Sequence, residues 1–393
     1  MTEAPVAPLL YLLTFSHRSK EEAEKPPLLS PAVIMKSLVL VALGLLLVVE
    51  RNVGVRQAFN ISREYDLLEP SSCHFIEGIE TGAEDVDILP KGLAFMSAGL
   101  KYPGGPNFKP NEHGNMLLLD LNEENPKPVV LGISSGFDID SFNPHGISVY
   151  IDDKGDSVYI FVVNHPTNTT RVDLFKFQAE EKSLLYLKTI EHELFLSLND
   201  IAAVGPESFY ATNNKPFLST LDGVDGIYPN IPVGNIIYYS PEEVKEVAAG
   251  INVSNGIIMS RDNKYVYAAS LLGKSISVFE KLDNWSLSPV RELQIDQLLD
   301  NLCLDPTTGD VWMACHTDAE RLFHYDPKNP PGSEVLRLQN ILSENPVLTQ
   351  VYVNNGSSLQ ASSVACVYDG RLIVGSVFHK AIDCDLHNTA TEN

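Results

Sequence analysis

The chain has 393 residues, 44% of them apolar, enough to bury a large core as one broad domain or as two smaller ones. Asp plus Glu number 51 against 28 Lys plus Arg, a formal net charge of −23 that repels nucleic acid and sets that partner class aside. The acidic excess suits hard cations with oxygen ligands, although acidity by itself commonly serves solubility.

Residues 1–34 are Pro-rich and charge-mixed, without a usable period, and read as an extension that is disordered or not in the mature protein. Met35-Lys36 then precedes an apolar run from Ser37 to Val49, closed by Glu50-Arg51. A basic residue before a run of this length is signal-like, and the run is short for a membrane span. No A-x-A-like cleavage site follows, so residues 35–50 are expected to stay as an uncleaved anchor. Residues 51–72 are expected to form an amphipathic linker helix able to lie on a lipid surface.

From Cys73 onward one pattern recurs. Asp300-Asn301 leads into a short apolar strand, which turns on Asp305-Pro306-Thr307-Thr308-Gly309 and returns as Val311-Trp312-Met313-Ala314. Asp-Pro and Gly are residues that a tight hairpin needs. The same order appears at 255–269 and 145–161, in shorter form at 199–211 and 84–95, and Tyr368 to Gly375 supplies a sixth turn and return strand. With turns at Pro90, Asp152, Pro206, Arg261, Asp305 and Tyr368, the spacing runs from 44 residues (Arg261 to Asp305) to 63 (Asp305 to Tyr368). A four-stranded propeller blade takes about 40–50 residues plus loops. The fold expected is therefore all-β, a six-bladed β-propeller over residues 73–386, with an N-terminal hydrophobic helical segment and a disordered tail at 387–393.

In five of the six repeats a Glu, Asp, Asn or His stands five to seven residues before the turn. Residues at one phase of a propeller repeat converge on one level of the central channel. Glu84, Asp85, His145, Asn199, Asp200, Asn255, Asp300 and Asn301 are therefore expected to meet near the axis. Any one of them alone would read as a turn residue opening a strand. Two stretches rich in Gly and Pro, Leu100 to Asn115 and Asn214 to Gly234, interrupt the pattern as long loops of the kind that carry specificity.

None of the five cysteines is spaced C-x-x-C, which argues against a zinc ribbon. Cys73 and Cys384 bracket the repeats, so a bridge between them would tie the ring shut. Cys303 and Cys366 lie in apolar strand patterns and read as buried thiols. Cys315, beside His316, reads as a packed thiol rather than a nucleophile. Sequons occur at Asn60, Asn168, Asn252, Asn284 and Asn355, and on a secretory route Asn252, Asn284 and Asn355 are expected to be glycosylated.

Three motifs bear on chemistry. Gly132-Ile133-Ser134-Ser135-Gly136 has the spacing of a nucleophile elbow, but Phe137-Asp138-Ile139-Asp140 cannot start the helix that motif requires. Calcium takes six to eight oxygens from carboxylates, amides and carbonyls. Glu84, Asn199, Asn255, Asp300 and Asn301 supply such a set, and Asp85 and Asp200, alternating with them, suit a second ion. Asn143-Pro144-His145-Gly146 and Asn164-His165-Pro166 offer a histidine pair, one taking a proton from water while the other holds the tautomer.

These residues also carry a family resemblance. Glu84-Asp85, Gly99 to Gly104, Asn143 to Ser148, Val163 to Pro166, Leu198 to Asp200, Asn255-Gly256, Asp300-Asn301 and Phe378 to Lys380 resemble the serum paraoxonase/arylesterase/lactonase family. The resemblance runs from about Cys73 to Leu386. It implies a six-bladed propeller holding two calcium ions (Ca2+) in its tunnel and hydrolysing lactones and aryl esters, with organophosphates as further substrates of some members. It implies that Glu84, Asn199, Asn255, Asp300 and Asn301 bind a catalytic calcium, and that Asp85, Asp200 and the backbone of Ile147 bind a structural one. His145 and His165 match the family's proposed dyad, with Asp300 and Glu84 as rival candidates for base or nucleophile. Cys73 and Cys384 match its disulfide, Cys315 its unpaired cysteine, and Lys101 and Tyr102 its active-site flap. Secretion and attachment to a lipoprotein or membrane through the N-terminal segment are implied as well.

Two departures stand out. Thr212-Asn213-Asn214-Lys215 replaces the family's Thr-Asn-Asp-His, removing a carboxylate expected near His165, and the loop up to Gly234 replaces an amphipathic segment. The competing reading is a non-enzymatic, calcium-stabilised propeller whose loops bind a lipid or protein partner.

Overall fold

The computed structural model describes residues 30–393 apart from 62, 102–111, 153, 167–168, 215–231 and 388–393. Tyr102, the sequon at Asn168, most of both interrupting loops, nearly all of the extension and nearly all of the tail lie outside the described residues. Two units divide at Arg51.

The described part of the first unit is helical. Helix α1 spans Pro31–Ala58 and includes residues 35–50. Met35 to Ala58 is a 24-residue stretch whose most apolar 18 residues reach a mean hydropathy of 2.1, long and apolar enough by length and composition to cross a membrane. The helix thus extends the apolar run read from the sequence, and a signal sequence meets the same criterion.

The linker helix expected over 51–72 is corrected, because α1 stops at Ala58. Asn60 adopts a left-handed conformation, φ 54°. Ile61 N–H donates to Arg56 O at 2.9 Å and Asn60 N–H to Gln57 O at 3.3 Å. These are the paired bonds of a Schellman cap, with Asn in the position glycine usually takes. Beyond the cap the chain runs as a strap. Arg63 pairs with buried Glu334 at 2.6 Å, and Leu68 and Val353 exchange backbone hydrogen bonds of 3.0 and 2.6 Å.

The second unit is the expected six-bladed propeller. Its inner strands are Asp85–Ile88, Pro144–Ile151, Leu198–Gly205, Ser254–Met259, Leu298–Leu304 and Ser362–Tyr368, and each begins one sheet. These six touch one another in cyclic order, the last returning to the first. All six turns read from the sequence join an inner strand to the next strand outward. Blade 2 gains a fifth strand, Gly132–Ile133, parallel to its outer edge, and it is this pairing that absorbs the false nucleophile elbow.

The core lies between blades. Six buried apolar clusters each join one neighbouring pair of sheets. Ile147 and Ile160 of blade 2 meet Phe95 and Met116 of blade 1, for example, while Val364 and Ile373 of blade 6 meet Val86 and Met96. Each sheet is thus covered on both faces, which explains runs such as Val266-Tyr267-Ala268-Ala269 where alternation would otherwise be expected.

Blade 6 closes the ring. Its outermost strand, His74–Phe75, comes from the start of the propeller and pairs with Ile382–Asp385. The Cys73–Cys384 disulfide fixes that closure across a sequence separation of 311. The reading of Cys303 and Cys366 as thiols is overturned, because they form a second disulfide that staples the inner strands of blades 5 and 6. Only Cys315 stays free, and it is buried.

Candidate functional site

The inner strands place their polar residues by departing from regular pairing. Register shifts fall between Pro144 and Ile147, Leu198 and Ile201, Ser254 and Ile257, Leu299 and Leu302, and Ser362 and Val364. The residues inside them are His145, Asn199 with Asp200, Asn255, Asp300 with Asn301, and Ser363. A bulge re-aims a side chain out of the in-and-out alternation, which is why such irregularities gather at sites. Two of these residues precede glycines for a steric reason. A Cβ on Gly146 would lie 2.5 Å from Asp200 Cα, and one on Gly256 would lie 2.6 Å from Asn301 Cα. Only glycine lets the next inner strand approach so closely.

Glu84, 2% exposed, sits at the centre of the contacts. Its Oε1 accepts from Asn301 Nδ2 at 3.1 Å and lies 3.3 Å from His145 Nε2. Its backbone carbonyl accepts from Asn301 Nδ2 at 3.1 Å and from Ser363 Oγ at 2.7 Å. Asp300 Oδ2 lies 2.7 Å from His316 Nε2. Four oxygens remain: Glu84 Oε2, Asn199 Oδ1, Asn255 Oδ1 and Asn301 Oδ1 are buried and have no hydrogen-bond partner. All four are acceptors, and they belong to four of the five residues read as holding the first ion. A buried acceptor without a donor costs free energy, and a hard cation is what oxygens without donors suit. Three of the five donors are amides. Accordingly, no group of three or more His, Cys, Asp and Glu poised to hold a metal occurs among the described residues.

The second set also fits a cation. Asp85 accepts from Val86 N–H at 2.8 Å and Ile147 N–H at 2.7 Å, and Asp200 accepts from Ile201 and Ile257 N–H, both at 2.7 Å. Burial pushes both carboxyls up, Asp200 to about 8, and for Asp85 the charges of Asp200 and Glu84 push the same way. Carboxylates that resist ionisation together are groups that a cation between them would stabilise as anions.

The histidines meet. His145 Nδ1 lies 2.9 Å from His165 Nε2, with the rings 5.1 Å apart and tilted by 57°. Burial, reinforced by neighbouring His145, drives His165 down to about 3, so it is neutral. For His145, burial disfavours the charged form, but Glu84, Asp300 and Asp200 together outweigh it and raise the pKa. Asn143 ties the pair to the loop before it, since its Oδ1 accepts from Lys101 N–H at 2.7 Å and its Nδ2 donates to His165 O at 3.2 Å. Asn214, where a carboxylate was expected, turns instead to Ser254.

Two residues at the site escaped sequence reasoning. Ser363 stands five residues before the turn at Tyr368, in the phase that located the others, but a serine there looks like an ordinary strand residue. His316 ends a return strand, Val311–His316, at a phase from which the repeat predicts nothing. Among the sequons, Asn284 and Asn355 are exposed. The sequon of Asn252 is folded in, because its Ser254 is wholly buried.

A propeller with a ring of buried oxygens and a histidine pair on its inner strands is the class that this fold and site define. The sequence matches the arylesterase family over residues 64–386, and the chain belongs to that family. It is 53% identical to serum paraoxonase/arylesterase 2 of Gallus gallus over 347 residues, 88% of this chain and 98% of that one. To serum paraoxonase/lactonase 3 of Homo sapiens it is 51% identical over 350 residues, 89% and 99%. Among solved structures, a luciferin-regenerating enzyme aligns over 79% of this chain and 94% of its own with a TM-score of 0.51 at 11% identity, a likeness of fold alone.

Proposed function

We propose that the protein is a calcium-dependent hydrolase of lactones and aryl esters, with organophosphates as a further substrate class. The observation that carries this is the set of four buried, unpartnered acceptor oxygens beside a hydrogen-bonded histidine pair. The two relatives named above, an arylesterase and a lactonase by description, support the substrate class.

Glu84, Asn199, Asn255, Asp300 and Asn301 would hold one calcium ion, and Asp85, Asp200 and the backbone of Ile147 a second. When bound, the first ion supplies Lewis-acid polarisation of the carbonyl and charge for the oxyanion. The remaining work falls to the chain. Neutral His165 accepts at Nε2, which keeps a proton on His145 Nδ1 and leaves His145 Nε2 as the basic atom. That nitrogen takes the proton from the attacking water, and Glu84 Oε1, 3.3 Å away, favours the imidazolium formed. His316 holds Asp300 Oδ2 and limits the freedom of that carboxylate to act as the base itself.

The segment through α1 would attach the enzyme to a membrane or lipoprotein surface, and two disulfides suit an oxidising, secretory compartment. The test is hydrolysis of a simple aromatic ester and a lactone by wild type and His145→Gln, with calcium binding read separately. The variant should bind calcium normally and lose activity by about 10²–10⁴, the range of a general base. Activity within a few-fold of wild type would make Asp300 or Glu84 the base. A wild type inert toward both substrates would favour a non-enzymatic propeller.

A further inference from the structure

Two neighbouring amides at the end of one strand reach in opposite directions, each to the segment carrying a different site residue. Asn213 and Asn214 close the second strand of blade 3, Ser208–Asn214, and both are buried. Asn213 Oδ1 accepts from the backbone N–H of Leu196 and Ser197, each at 2.9 Å, and its Nδ2 donates to Leu194 O at 3.1 Å. These bonds pin the chain immediately before Asn199. Asn214 pins the next blade: its Nδ2 donates to Ser254 O at 3.0 Å, and its Oδ1 accepts from Ser254 N–H at 3.0 Å. The Ser254 hydroxyl lies 3.1 Å from both Asn214 Oδ1 and Asn213 O. The side-chain amide thus imitates one rung of a strand ladder, one residue before Asn255.

The corner it holds is strained, and Leu271 N–H, donating to Val253 O at 2.9 Å, holds it from the other side. Val253 has φ 58°, a region that β-branched residues rarely enter. Asn255 and Gly256 fall between the paired residues Ser254–Ser270 and Ile257–Ala268, so the ladder does not fix them. Asn255 Oδ1 is nevertheless buried and without a partner, aimed where no protein donor meets it. In this chain an ionised aspartate at 214 would set an acceptor against Ser254 O, a mismatch that the amide avoids.

We propose that Asn214, with Asn213 beside it, is a positioning residue for the cation. The pair sets the spacing between the amide oxygens of Asn255 and Asn199, and Asn214 keeps the strained Val253–Ser254 corner from relaxing. The inference rests on the calcium reading and adds to it the residue that prearranges two of the ligands.

The experiment measures calcium binding by calorimetry to chelator-stripped wild type, Asn214→Ala, Asn214→Asp and Asn214→Ala/Val253→Gly. The melting temperature of each is recorded chelated and calcium-loaded. Asn214→Ala should weaken calcium binding by about 10–100-fold, the usual cost of removing a group that orients a ligand. It should also narrow the calcium-induced rise in melting temperature, while the chelated value moves much less. Asn214→Asp, which keeps the acceptor but loses the donor, should weaken binding as well and keeps the test readable if the alanine variant fails to fold. Val253→Gly, by relieving the corner, should restore part of the affinity lost in Asn214→Ala. Binding in Asn214→Ala or Asn214→Asp within about threefold of wild type would overturn the inference. So would chelated and loaded melting temperatures that fall together, the mark of a residue that only stabilises the fold. A wild type that takes up no calcium would instead overturn the reading beneath it.

Discussion

Removing calcium should cost the protein a large part of its stability. The four buried acceptor oxygens without partners provide the estimate. Each such group costs about 1–3 kcal/mol, so four amount to roughly 4–12 kcal/mol that a bound cation would offset. Glu84, Asp85 and Asp200, all buried, add mutual repulsion in the same direction. Against a total stability of about 5–15 kcal/mol for a native protein, that is the difference between a robust fold and a marginal one. At about 2–4 °C per kcal/mol, prolonged chelation should lower the melting temperature by about 10 °C or more. Calorimetry of stripped and calcium-restored samples, with metal content measured in both, reads the effect directly. A stripped protein that melts within about 2 °C of the loaded one would mean that these oxygens are satisfied in another way, and the cation reading would fall.

Other consequences are separate from the metal. The Cys303–Cys366 disulfide closes a separation of 63 residues, for which chain entropy gives about 4 kcal/mol, so replacing both by Ala should lower unfolding free energy by an amount of that order. Unreduced peptide mapping that returned two free thiols there would contradict the pairing. Burial pushes the Cys315 thiol well above its usual range, so maleimide at pH 8 should label it slowly in the native protein and rapidly in denaturant. On secretion, glycopeptide mapping should find sugar at Asn284 and Asn355 but none at Asn252, whose Ser254 is buried. Occupancy at Asn252 would show that modification there precedes folding.

The repeat made the fold legible, because a turn flanked by apolar strands is a local signal and six of them in series define a ring. Phase made the site legible. Residues at similar offsets from their turns come together on the inner strands, where Glu84 meets His145 and Asn301. The end of α1 was less visible, since the apolar run hid a cap that depends on a single left-handed Asn60. Amphipathic patterning favoured helix over residues 51–72, whereas two backbone bonds to Arg56 and Gln57 end it at Ala58.

The second disulfide was legible by the same logic and was overlooked for a physical reason. Cys303 stands three residues after Asp300, and Cys366 stands three residues after Ser363. Equal phase in adjacent blades means spatial neighbourhood, so the rule that gathers the oxygens also brings these two sulfurs together. What obscured it was the assumption that an apolar strand pattern makes a cysteine an apolar packing residue. Apolar surroundings are common to a buried thiol and a buried bridge, and only the distance between two strands distinguishes them. Ser363 shows the converse. Its phase was correct, but a neutral hydroxyl carries no charge to mark it, and its part emerges only from the bond to the Glu84 carbonyl. Phase therefore locates a site residue more dependably than chemical type does in this ring, because the bulges re-aim whatever residue falls within them.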